Sequence, residues 1–113
     1  MKDVDPAELD RILALIHSQV AAGSYRITLH AHAEMVEQGI GLEEVLEALR
    51  RAEILEHYPE HRRGACCLVS GATNLGRPLH VVCTAAQALL ILITVYEPRP
   101  PKWVTPEQRR NPL

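Results

Sequence analysis

LHVVCTAAQALLILITVY, residues Leu79 to Tyr96, is the longest apolar stretch of the chain and the one whose reading decides the fold. Its length approaches that of a membrane-spanning helix, but His80, Thr84, Gln87 and Thr94 interrupt it and its β-branched residues gather at the two ends. Two buried strands, Leu79–Thr84 and Leu89–Tyr96, joined by a turn near Ala85–Gln87, satisfy that pattern. No membrane partner is therefore expected. Working back toward the N-terminus, Ala65–Ser70 and Ile54–Tyr58 are further short apolar runs between turn residues. GATNLGRP, Gly71 to Pro78, is a glycine-rich hairpin connection, and strands in sequence with short connections imply antiparallel pairing.

Before Ala52 the periodicity is helical. Asp5, Pro6 and Glu8 form a helix start, and Leu9, Ile12, Leu13, Ile16 and Val20 recur at helical spacing up to the stop at Gly23, predicting a helix over 6–22. Arg26 to Leu29 reads as a short link. A second helix runs from His30 to Gln38 and ends at Gly39, and Leu42, Val45, Leu46 and Leu49 mark a third over Leu42–Arg51. The expectation is an α+β fold: N-terminal helices packed on a C-terminal antiparallel sheet of three to four strands, one domain over residues 1–113. From about residue 98 the chain carries a basic tail, RPPKWVTPEQRRNPL, which is extended or folds by docking through Trp103.

The net charge is −2, yet residues 1–60 hold 12 acids against five Lys or Arg, and residues 61–113 hold two acids against seven. The basic half either meets phosphate or neutralises the acidic helices. Cys66, Cys67 and Cys83 lack the count and spacing of a secreted disulfide framework, so a reduced, cytoplasmic setting is expected. The start MKDVDPAELD has no apolar signal core. No CxxC pair is present, and no metal or other cofactor is expected.

Several residues could carry chemistry. His80 interrupts an apolar strand while Leu79 and Val81 face the other way, so it is either a proton-transfer group looking into a groove or a hydrogen-bonded surface histidine. Arg77, three residues earlier, either grips phosphate at that same groove or sits in solvent. Tyr96 and Glu97 end the last strand, where they could orient a nucleotide or play core and edge roles. Arg109 and Arg110 form a basic pair in the tail. His30 and Glu34 share a helical face at i, i+4, but a metal there would need a third ligand, and a helix-entry or packing histidine is the simpler reading. His57 and His61 read as solvated loop residues. The aromatic residues Tyr25, Tyr58, Tyr96 and Trp103 are too few for a platform stacking several bases.

LHAHAEMVEQGIGLEEVLEAL (Leu29–Leu49), GRPLHVV (Gly76–Val82) and ITVYEPRPPKW (Ile93–Trp103) together resemble the family catalogued as domain of unknown function 4258. The resemblance implies a fold related to RelE/ParE-like toxins and a small zinc-finger antitoxin as protein partner. It also implies metal-independent endoribonuclease activity on mRNA as part of a toxin–antitoxin pair. Under that reading His80, Tyr96 and Glu97 are catalytic, Arg77, Arg109 and Arg110 bind RNA, and His30 is an additional site residue. The chain departs from the family at Glu34 and Gln38, where arginines are common. That loss of cations favours an alternative: a non-catalytic protein-binding module of the same fold that forms a homodimer or higher homo-oligomer, or captures a protein partner.

Overall fold

The computed structural model describes residues 5–60 and 64–109. Helix α1 spans Pro6–Ala21; the Asp5 carboxylate accepts the Ala7 N–H at 2.9 Å, and Pro6 presets the first turn. It buries Ile16 and Val20 and ends at Gly23, whose φ of 71° is left-handed. After β1 (Tyr25–Ile27), Thr28 caps α2 (Leu29–Gln38) by accepting the Ala31 N–H at 3.1 Å, and Gly39 closes that helix at φ 65°. Helix α3 (Leu42–Arg50) is capped from within: Glu44 Oε1 accepts the Gly41 N–H at 3.0 Å, while Val45, Leu46, Ala48 and Leu49 form its buried face.

Strands β2 (Glu53–Tyr58), β3 (Cys66–Ala72), β4 (Pro78–Thr84) and β5 (Leu90–Tyr96) follow, within one residue or two of the runs read from the sequence. The sheet has five strands in the order β1-β5-β4-β3-β2 and is mixed, because β1 pairs parallel to β5, Tyr25 opposite Leu90 and Ile27 opposite Leu92. The expected sheet of three to four antiparallel strands is corrected accordingly. Three residues are too short to show an alternating pattern, so the segment read as a link is in fact an edge strand.

The three helices cover one face. Cys67, Val69, Leu79, Val81, Cys83, Leu90, Leu92 and Val95 project from that face into a core shared with Ile16, Val45 and Leu49. The closest approach is at Gly71, where a Cβ would lie 2.0 Å from the Ala48 carbonyl oxygen. Only glycine lets α3 lie this near to β3.

The described part of the tail, up to Arg109, does not run out into solvent. Beyond β5 it turns back as a small hairpin, β6 (Trp103–Thr105) with β7 (Gln108–Arg109), and docks through Trp103, which is 3% exposed. Among the described residues no helix is long and apolar enough to cross a membrane.

Gly71→Ala forces backbone against backbone and should cost about 3 kcal/mol or more of stability. Urea denaturation with an unchanged m-value checks it. A loss near zero would mean that α3 can back away from the sheet.

Candidate functional site around His80

Register builds the site. Ser70 of β3 stands opposite His80 of β4, and His80 opposite Tyr96 of β5, so the three form a row across the sheet. Leu79 and Val81 point into the helix-side core, hence His80 points to the opposite face. There it meets the tail. His80 is 0% exposed, packed edge-on against Trp103 (ring centroids 4.3 Å apart) and Tyr96 (5.3 Å). It is thus hydrogen-bonded, as one sequence reading held, but is neither on the surface nor open to a groove; the docked tail covers it.

Both ring nitrogens have partners: Nδ1 lies 3.2 Å from the Tyr96 hydroxyl and Nε2 2.5 Å from the Pro106 carbonyl. A carbonyl only accepts, so the proton of the neutral ring sits on Nε2, and Tyr96 donates its hydroxyl proton to the Nδ1 lone pair. Burial pushes the His80 pKa below its ordinary 6.5; the Pro106 hydrogen bond and the Glu56 and Glu107 charges pull upward, while Arg109 pushes further down. His80 is neutral at pH 7. Burial likewise holds the Tyr96 phenol protonated.

The tail is clamped from β2. Arg109 donates from Nε and Nη2 to the two carboxylate oxygens of Glu56 at 3.0 and 2.8 Å, and its guanidinium lies 4.6 Å over the Trp103 ring. Arg109 holds the Glu56 carboxyl below its usual range, and the Tyr58 hydroxyl donates to the same carboxylate. Arg109 is therefore already paired. Arg110 lies outside the described residues.

Arg77 belongs to a different cluster. It donates to Glu97 Oε1 at 2.8 Å, to the Gly39 and Gln38 carbonyls at 3.1 and 2.9 Å, and lies 3.4 Å from Glu44. It thereby caps the C-terminal carbonyls of α2 and holds the Glu97 carboxyl low. Arg77 and His80 are not brought together: an odd separation along an extended chain sends side chains to opposite faces.

Glu34 and Gln38 accept the Val95 and Glu97 N–H groups, each at 3.0 Å. His30 Nε2 sits 3.3 Å from Glu34 on an exposed helix face, and among the described residues no group of three or more His, Cys, Asp or Glu could hold a metal ion. His57 is a half-buried strand residue of β2 with both ring nitrogens buried and unpartnered, rather than a solvated loop residue. His61 lies outside the described residues.

Two clefts open beside the tail. One, of about 270 Å³, is lined by Gln38, Tyr96, Glu97, Arg99, Lys102 and Trp103. The other, of about 390 Å³, includes Arg51, Glu53, Ser70, Pro78, Pro106 and Glu107. Arg99, with 64% of its side chain exposed, and the exposed Lys102 are cations that the sequence reading did not single out. Their only signal was basic charge in a proline-rich segment. Ser70 had none, since its place beside His80 depends on register.

A family model described as a domain of unknown function (DUF4258) matches residues 27–97, from the end of β1 to Glu97. Neither the curated proteins nor the solved structures contain a match to the chain.

Because the unfolded chain binds a proton at His80 more readily than the folded one, stability present above about pH 6.5 is lost as pH falls below it. His80→Gln should remove that part of the slope and leave the Glu56 contribution, which appears at lower pH. Denaturant midpoints at pH 7.5, 6.5 and 5.5 check this. An identical decline in both proteins would assign it to other groups.

Proposed function

The chain belongs to the family described as domain of unknown function DUF4258, and from that premise we propose that it is the toxin component of a toxin–antitoxin pair, a RelE/ParE-like, metal-independent endoribonuclease acting on mRNA in the cytoplasm. One observation carries the reading: a buried histidine, His80, held by the hydroxyl of Tyr96, which itself lines a cleft rimmed by Arg99 and Lys102. Such chemistry needs no cofactor, only a proton-transfer group and cations for the phosphate.

In the reaction the ribose 2′-oxygen attacks the adjacent phosphorus and the bond from phosphorus to the 5′-oxygen breaks. The 2′-hydroxyl proton passes to His80 Nε2, which must first be released from its hydrogen bond to the Pro106 carbonyl with the ring proton on Nδ1, and the leaving 5′-oxygen takes a proton from Lys102 or water. Tyr96 orients the imidazole by bonding Nδ1. Glu97 orients Arg99 through their 3.3 Å ion pair. Arg77 and Arg109 are held in carboxylate pairs at 24% and 37% side-chain exposure, whereas Arg99, although paired with Glu97, is 64% exposed, so we assign the phosphate to Arg99 and Lys102 instead of the arginines read from the sequence.

A second reading, a non-catalytic protein-binding module, is favoured by a stripe on α2. Leu29 and Val36, seven residues apart, are 90% and 70% exposed with Ala33 between them. Its partner would be a small zinc-finger antitoxin protein or a second copy of the chain.

Single-turnover cleavage of a single-stranded oligoribonucleotide tests the choice. His80→Gln should lower the rate by roughly 10²–10⁴-fold with little change in affinity. Replacing Arg99 and Lys102 by alanine should weaken binding and flatten its salt dependence. If the parent protein leaves RNA intact at high concentration yet binds a protein partner or itself, the module reading takes over.

A further inference from the structure

The row Ser70, His80 and Tyr96 is a continuous floor, yet the space above it is divided. Tyr96 lines the cleft on one side and Ser70 the cleft on the other, and between them stand Trp103 and Pro106, both against His80. The obstruction is one short unit. Among the described residues, β6 and β7 pair with each other and with no strand of the five-stranded sheet, which meets the hairpin through side chains, those of His80 and Glu56 among them. Its clamp is polar, Arg109 on Glu56, with the side chain of Arg109 37% exposed. The indole N–H of Trp103 is buried and interacts with the Tyr96 hydroxyl, so the hairpin covers Tyr96 as well as His80.

We propose that the hairpin Trp103–Arg109 is a strap that closes one groove across the sheet and holds His80 in the wrong tautomer for a base. The Pro106 carbonyl accepts a hydrogen bond from Nε2, so the ring proton stays there and Nε2 has no lone pair to offer. When the strap lifts, that requirement ends. The proton moves to Nδ1, where it is donated to the Tyr96 oxygen, and the Nε2 lone pair faces the groove. Both the obstruction and the tautomer change with one movement of the tail.

The two clefts, about 270 and 390 Å³, then join end to end over Tyr96, His80 and Ser70. An extended polymer threading such a groove, rather than a compact ligand, fits this shape. That the polymer is single-stranded RNA rests on the ribonuclease reading above; the strap itself does not.

The test uses the full chain with Glu56→Gln, which keeps the side-chain shape, and with Arg109→Ala, which removes the clamp from the tail side. Amide exchange of Trp103 to Arg109 should rise about tenfold, the weight of a bidentate charged pair backed by a cation–π contact, while amides of β3–β5 keep their rates. Nitrogen-15 spectra of the His80 ring should show the proton shifting from Nε2 toward Nδ1, and cleavage of a single-stranded oligoribonucleotide should rise in proportion to the open fraction.

If both variants keep the tail protected and the proton on Nε2, the strap is overturned. A freed tail and shifted proton with slower cleavage would also overturn it, by showing that the hairpin completes the site. A freed tail and shifted proton with no cleavage by any variant would leave the strap standing and remove the RNA reading.

Discussion

Strand β5 has an unfinished edge, and the arrangement of the molecule follows from how that edge is satisfied. On one side β5 pairs with β4 along its length; on the other, β1 reaches only from Leu90 to Leu92. Beyond that point α2 replaces a strand. Thr28 Oγ1 donates to the Ile93 carbonyl at 3.0 Å, and Glu34 and Gln38 accept the Val95 and Glu97 N–H groups. Three polar side chains thus serve alternate residues of a strand that would otherwise bury unpaired backbone against a helix. With α2 so fixed, its C-terminal carbonyls meet Arg77, Arg77 meets Glu97, and the end of β5 that presents Tyr96 is rigid.

Glu34 and Gln38, weighed on the sequence as cations lost from an RNA face, carry a structural role in the fold. In the fold they are acceptors for backbone donors, a role that arginine, which has only donors, cannot fill. The elements themselves were legible, because a period of 3.6 before Ala52 and short apolar runs after it are local signals. What was not legible depended on register and long-range pairing: the three-residue strand β1, the meeting of Ser70, His80 and Tyr96, and the division of Arg77 and His80 between two faces. The docking of the tail was half legible, since Trp103 was the residue that would anchor it.

The opposed charges of the two halves also find their use inside the fold. Arg77 pairs with Glu44 and Glu97, and Arg109 with Glu56, so these two cations of the second half hold elements together. The cysteines behave as small buried residues. Cys67 and Cys83 face each other across β3 and β4 on the core side; burial pushes the Cys67 thiol up to about 11 and Cys83 well above its usual range, so neither is a thiolate at neutral pH.

Burial cuts both ways at His80. Removing the ring from water disfavours the imidazolium, which suits a base that must stay neutral until a proton arrives. But a ring sealed under Trp103 with each nitrogen bonded meets no substrate, so the same burial that tunes the group also disables it. A fold that kept His80 only for packing would have no need of two hydrogen-bond partners from distant segments, Tyr96 on β5 and Pro106 in the tail; an apolar residue on that face would suffice. Of those two partners Tyr96 is held within the five-stranded sheet, whereas Pro106 belongs to the separate hairpin that we infer to be the movable one. Access to His80 then depends on the docking of that hairpin, held by Trp103 on the His80 ring and by Arg109 on Glu56.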